Sequence, residues 1–193
     1  MKKTSSEMRE HIIEVARTLM VDKGYTAVGI AEVVAAAGVP KGSFYYYFKS
    51  KEEFGQAMLE AYFSTYLVTV DTLLAAEGRG RDRLLAYFRY WADTQGSELP
   101  DGKCLVVKLG AEVCDSSDDM RAVLASGTAG IVERLSRCIE AGQADRSITS
   151  DAPARALAEA LYQMWLGASL MTKVSNTNDS FATAFDITER LLS

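Results

Sequence analysis

A chain of 193 residues with 48% apolar content is long enough to bury a real core and is expected to hold a small domain and a larger one. Three scattered cysteines and a single histidine, His11, argue against a disulfide framework, a zinc site and histidine-based catalysis, and no cofactor is expected. The net charge of −5 is uneven: residues 1–53 carry eight Lys/Arg and seven Asp/Glu, residues 54–193 thirteen and nineteen, so an acidic protein can still present a locally positive face to phosphate.

No run of about eighteen apolar residues occurs, and Met1-Lys2-Lys3-Thr4 leads into polar sequence, so the expected location is the cytoplasm with no membrane partner. Ile12, Ile13, Ala16, Leu19 and Met20 follow a helical spacing after Ser5, Ser6 and Glu7, and Gly24 is the expected stop. Thr26 reads as an N-cap region for a short second helix from Val28 to Ala37, ended by Gly38. Pro40 suits the first turn of a third helix running to about Tyr47, with Phe44 and Phe48 four apart on its buried side.

Ser50 followed by Glu53 is a capping box, and the apolar spacing from Phe54 predicts a long fourth helix to about Leu74. Further helices are expected near 80–95, 102–114, 117–141, 152–174 and 180–192, separated by turn-rich stretches such as Leu99-Pro100-Asp101-Gly102 and Ser147 to Pro153. Leu105-Val106-Val107 would permit a strand but shows no alternation, and it is read as helix. The fold class is therefore all-α, with about nine helices.

Two short helices across a glycine-containing turn, with a longer helix ahead of them, make a helix-turn-helix whose reading helix starts near Lys41. Lys41 offers charge, Gly42 allows close backbone approach, and Ser43 and the helix start offer donors to phosphate. Tyr45, Tyr46 and Tyr47 point about 100° apart on a helix, so they cannot all join Phe44 and Phe48 in a core. At least one must face outward, and two are expected to. An aromatic run alone more often signals packing; its basic and glycine neighbours favour DNA.

The segment G-V-P-K-G-S-F-Y-Y-Y-F-K-S-K-E-E-F closely resembles the signature of the TetR family of repressors, across the turn, the reading helix and the start of the fourth helix. The resemblance implies a helix-turn-helix DNA-binding domain over 1–50 and a helical effector-sensing and dimerisation domain over 51–193. It implies a homodimer that reads a palindromic operator in double-stranded DNA. By position it places Val28, Lys41, Gly42, Ser43, Tyr45, Tyr46, Tyr47 and Lys51 at the DNA. The helices near 152–174 and 180–192 would supply the dimer interface, with Gly167-Ala168-Ser169 permitting close approach.

Cys104 falls at the expected start of a helix, with Lys103 beside it and Lys108 four residues on, an arrangement that favours thiolate and raises reactivity with electrophiles or oxidants. By residue chemistry alone it reads either as such a thiolate or as a small buried hydrophobe; Cys114 and Cys138 are read as the latter. G-K-C-L-V-V-K-L-G-A-E-V-C-D and the later L-Y-Q-M-W-L-G-A-S-L-M-T-K resemble the electrophile- and redox-sensing branch of the TetR family. That resemblance implies sensing at Cys104 with Lys173 involved, and release from DNA on modification.

Tyr87, Trp91, Tyr162 and Trp165 could line a pocket, although aromatic positions at helical spacing more often form core or dimer interface. Three alternatives stand beside the electrophile-sensing repressor. A small apolar inducer could bind the same repressor noncovalently, with Cys104 structural. A helical enzyme with a cysteine nucleophile is opposed by the lone histidine beside the DNA-binding motif, so no enzyme is expected. A helical protein-interaction adaptor is opposed by Lys41, Lys49 and Lys51 around the tyrosine run.

Overall fold

A computed structural model describes residues 4–96 and 104–193 and places nine α-helices, with no strand among the described residues. In chain order they are α1 (Ser5–Lys23), α2 (Ile30–Ala36), α3 (Lys41–Tyr47), α4 (Lys51–Leu74), α5 (Gly80–Gly96), α6 (Leu105–Ser116), α7 (Asp118–Ala144), α8 (Ala154–Ser175) and α9 (Asp179–Leu191). The expected all-α class and helix count are both found. The predicted Leu99 to Gly102 turn and Lys103 lie outside the described residues. No described helix is long and apolar enough to cross a membrane.

Contacts divide the chain into two units. Among the described residues the first runs to Phe63 and adds 104–125, which carries α6 and the start of α7; the second comprises 64–96 and 126–193. Helices α1 to α3 are thus packed together with chain that follows them by more than fifty residues.

In the first unit α1 is started by Thr4, whose hydroxyl accepts from the Glu7 N–H at 3.2 Å while the Glu7 carboxylate accepts from the Thr4 N–H at 2.6 Å. This reciprocal cap satisfies two donors that a helix start otherwise leaves open. Ile12, Ile13, Ala16 and Met20 are buried along one stripe of α1, and each large side chain so buried stabilises the unit by roughly 1.5–3 kcal/mol. Beneath α3 the rings of Phe44, Phe48 and Phe54 form a closed triangle, with centroids 4.9 to 5.3 Å apart. That triangle fixes the reading helix on the start of α4. His11 Nε2 lies 3.2 Å from the Ala37 carbonyl, which places the lone histidine at the end of α2.

Two helix starts differ from expectation. Helix α2 begins at Ile30 and not at Val28: Gly29, with extended backbone, is its N-cap, Val28 is fully buried ahead of the helix, and the Thr26 N–H is taken by the Glu112 carboxylate of α6. At α4 the Ser50 hydroxyl accepts from the Glu53 N–H at 3.0 Å as a cap should, but the Glu53 carboxylate reaches one residue further back, to the Lys49 N–H at 2.9 Å.

The second unit is built on aromatic side chains. Trp165 of α8 stacks on Phe88 of α5 and on Phe181 of α9, at centroid distances of 4.7 and 5.9 Å and an interplanar angle of 18° in both pairs. The indole N–H of Trp165 donates to Thr188 at 2.9 Å, and that of Trp91 donates to Ser169 at 2.8 Å, so neither buried polar atom is orphaned. Where α5 begins against the end of α7, a Cβ on Gly80 would lie 2.4 Å from the Gly142 backbone. Only glycine permits that approach.

Candidate nucleic-acid interface

The seven residues of α3 divide by exposure along the lines that helical geometry demands. Phe44 is buried, Tyr45 and Tyr46 are 53% and 75% exposed, and Tyr47 is half-buried with its ring edge-on to Tyr46 at 4.9 Å. Lys41 and Gly42 are exposed at the start of the helix and Ser43 is half-buried. Exposing two large aromatic rings to water is unfavourable for a monomeric surface. Beside a lysine and a glycine, the rings and their hydroxyls form a flat amphipathic face suited to sugar, phosphate and base edges.

Of the residues expected at the DNA, Val28 and Lys51 stand apart from the exposed face of α3 and contact the protein itself. Val28 has 0% exposure, so its side chain is core; an apolar branched side chain beside the helix bundle is better stabilised there than at a polar groove. Lys51 turns back on the chain: its ammonium sits 4.6 Å above the Tyr25 ring and donates to the Thr26 carbonyl at 3.2 Å. Burial lowers the Lys51 pKa, against the opposing pull of the Glu112 carboxylate.

Tyr25, Glu52, Glu112 and Ser117 form the surroundings of that lysine and were not singled out from sequence. The Tyr25 hydroxyl donates to the Lys51 carbonyl at 3.0 Å, and burial, followed by the Glu52 and Glu112 charges, pushes its pKa up to about 12. Glu112 accepts from the N–H groups of Tyr25 and Thr26, and the Ser117 hydroxyl donates to Glu52. No local pattern could flag Glu112, whose partners lie 86 and 87 residues away.

The residues expected in effector sensing are distributed over both units. Cys104, in the first, is buried at 6% exposure and is the N-cap of α6, one position ahead of the helix in which it was expected; its carbonyl accepts from the Lys108 N–H at 3.1 Å. Lys173, in the second, is exposed in the last turn of α8. Tyr87, Trp91, Tyr162 and Trp165 are at most 3% exposed and act as core, ring packed on ring. Cys138 is buried, and its burial, moderated by Arg83 and reinforced by Asp145, pushes the thiol up to about 11, as suits a structural cysteine.

The helix-turn-helix of α2 and α3, seated on α1 and followed by a long helical region, agrees with two family models. Residues 12–58 match the bacterial regulatory proteins of the tetR family, and residues 80–188 match the tetracyclin repressor-like C-terminal domain. The chain belongs to the TetR family and is a DNA-binding, helix-turn-helix transcriptional repressor.

Within that family it is 40% identical to the HTH-type transcriptional repressor NemR of Escherichia coli K12 over 177 residues, 91% of this chain and 89% of the relative. The crystal structure of E. coli NemR in its reduced form superposes with a TM-score of 0.91 at 37% identity, covering 96% of this chain and 97% of the other. The HTH-type repressor DhaR of Mycobacterium sp. strain GP1 is 33% identical over 173 residues, 89% of this chain and 85% of the relative.

Proposed function

We propose that this chain is a cytoplasmic homodimeric repressor that holds a palindromic operator and releases it when a reactive electrophile or oxidant modifies Cys104. Its DNA contacts are Lys41, Gly42, Ser43, Tyr45, Tyr46 and Tyr47. The observation that carries the DNA part is the exposure of Tyr45 and Tyr46 beside Lys41, over a core already closed by Phe44, Phe48 and Phe54. A helix held that firmly presents its tyrosines to the duplex with the backbone already ordered.

The sensing part is supported by position. Cys104 starts α6, α6 packs on α1, and both belong to the unit that contains the reading helix. In a conjugate addition the Cys104 sulfur bonds to the electrophilic carbon while the C=C π bond there breaks and the thiol proton ends on the neighbouring carbon; the adduct adds volume at a side chain only 6% exposed, and α6 is expected to shift. The reduced state recorded for E. coli NemR is consistent with thiol chemistry in a relative of this similarity. Lys173 is assigned to the response by resemblance alone.

Homodimerisation is supported by α8, where Gly167, Leu170, Met171 and Val174 lie exposed on one helical stripe, with the last three 50 to 70% exposed. Apolar side chains so arranged suit burial against a second copy across a two-fold axis.

A mobility-shift assay on the promoter of the chain's own gene, with a quinone, an aldehyde or hypochlorite, tests the reading. Wild type is expected to bind and to be released, and Cys104→Ser to bind and be retained. Release of Cys104→Ser would reject the thiol as sensor and favour an inducer bound noncovalently. Retention of wild type under every reagent would remove electrophile sensing altogether.

A further inference from the structure

The turn between α1 and α2 is shaped by a group from a distant part of the chain. At the end of α1 the backbone passes through Gly24, with φ of +93°, and then presents two successive N–H groups, of Tyr25 and Thr26, in one direction. Both are taken by Glu112 of α6: Tyr25 N–H donates to Oε2 at 3.0 Å and Thr26 N–H to Oε1 at 2.5 Å. A Cβ at position 24 would come within 3.1 Å of the same carboxylate, so glycine also makes room for it. Charge-assisted bonds of this kind are stronger than neutral ones, and two parallel bonds also fix direction.

The carboxylate is held in turn. Its charge is opposed by burial, but the Thr26 and Tyr25 hydrogen bonds and the Lys51 ammonium outweigh that and hold its pKa below the ordinary carboxylate value. Lys51 binds the same turn from the other side through the Thr26 carbonyl and the Tyr25 ring. Two helix ends, the end of α1 and the start of α4, therefore meet at one carboxylate supplied by a third helix. Only three residues separate Thr26 from α2, whose C-terminal end leads through the turn at Gly38 into the reading helix.

We infer that Glu112 is a positioning residue for DNA recognition: its grip on the Tyr25–Thr26 turn sets the pose in which α2 and α3 meet an operator. Cys104 lies eight residues earlier at the other end of the same helix, about 12 Å along its axis. A displacement of α6 at its start would thus reach the DNA-binding helices as a displaced or broken grip. The inference rests on the repressor reading, and not on Cys104 being the sensor.

The test compares full-length wild type, Glu112→Ala and Glu112→Gln by fluorescence anisotropy, on the operator-containing promoter fragment and on a scrambled duplex of equal length. Glu112→Ala is expected to lose about tenfold in operator affinity, with the scrambled duplex bound within about twofold of wild type. Amide exchange at Tyr25 and Thr26 should accelerate while that of the α3 amides does not. A merely structural role would weaken both duplexes together, and that outcome overturns the inference, as does unchanged operator affinity. Should Glu112→Ala fail to fold, Glu112→Gln decides, since it keeps the volume and one acceptor oxygen; it is expected to lose operator affinity severalfold with the same selectivity. Failure of wild type to bind either duplex would instead defeat the repressor reading and the inference with it.

Discussion

The reading helix α3 and the α5–α8–α9 core both consist largely of aromatic residues, yet one exposes its rings and the other hides them. In the core Tyr87, Phe88 and Trp91 on α5 and Tyr162 and Trp165 on α8 lie along one stripe of each helix and are buried, while Tyr90 and Phe185, off those stripes, are half-buried. Along α3 the rings are consecutive, and a helix of 3.6 residues per turn must turn some of them outward. The stripe on which a ring falls therefore separates an aromatic residue packed in the core from one left at the surface. Polar partners follow the same division: the two core indoles find Thr188 and Ser169 inside the protein, whereas the Tyr45 and Tyr46 hydroxyls stand toward solvent.

The largest effect that would break this comparison is expected in the core. Replacing Trp165 by Ala removes both stacked contacts and the bond to Thr188 from a site with 0% exposure, and should cost about 3–5 kcal/mol in denaturant unfolding. Trp165→Phe keeps a ring between Phe88 and Phe181 and should recover much of that loss. A loss below about 1 kcal/mol for Trp165→Ala would mean that the rings are not what holds these three helices together.

Tyr46→Ala is expected to behave in the opposite way. With 75% of the residue exposed, its removal should leave unfolding free energy within about 0.5 kcal/mol of wild type, while operator binding disappears from a mobility-shift assay. Normal operator affinity would place the tyrosine outside the DNA contact. A large loss of stability would show that exposure on α3 had been misread as availability.

Much of the fold is legible in the sequence because its signals are local. The glycine at the end of α1, the Ser50 cap, the stripe of α4 and the helix from Leu105 all depend on neighbours within about four residues, and the structure places each near its expected position. The exposed pair on α3 is legible for the same reason. What escapes local reading is set by distant partners: Glu112 takes the Thr26 N–H from 86 residues away, and Lys51 donates to the Thr26 carbonyl across 25 residues. Val28 escapes because no periodicity distinguishes a buried residue just ahead of a helix from an exposed one. For Cys104, residue chemistry leaves a reactive thiolate and a small buried hydrophobe both open, and the structure places it buried at the helix start.

The smallest effect concerns a second carboxylate that clasps backbone, in the other unit. Asp145 accepts from the Gly80 N–H at 2.9 Å and the Ser147 N–H at 2.8 Å, much as Glu112 does at Tyr25 and Thr26, but it faces solvent. Hydrogen bonds from Ser147 and Gly80, with Arg79 nearby, draw its pKa down from the ordinary 3.8 to about 2. A carboxyl whose pKa is lower in the folded chain stabilises the fold above the unfolded value and loses that contribution as pH falls through the folded one. The difference in Tm between wild type and Asp145→Asn should therefore be present at pH 7, shrink from about pH 4 and vanish near pH 2. Added salt should reduce it as well, because an exposed pair is screened. A Tm difference that stays constant across that range would mean that the two N–H groups bind the side chain through its shape and not its charge, and the likeness to Glu112 would end there.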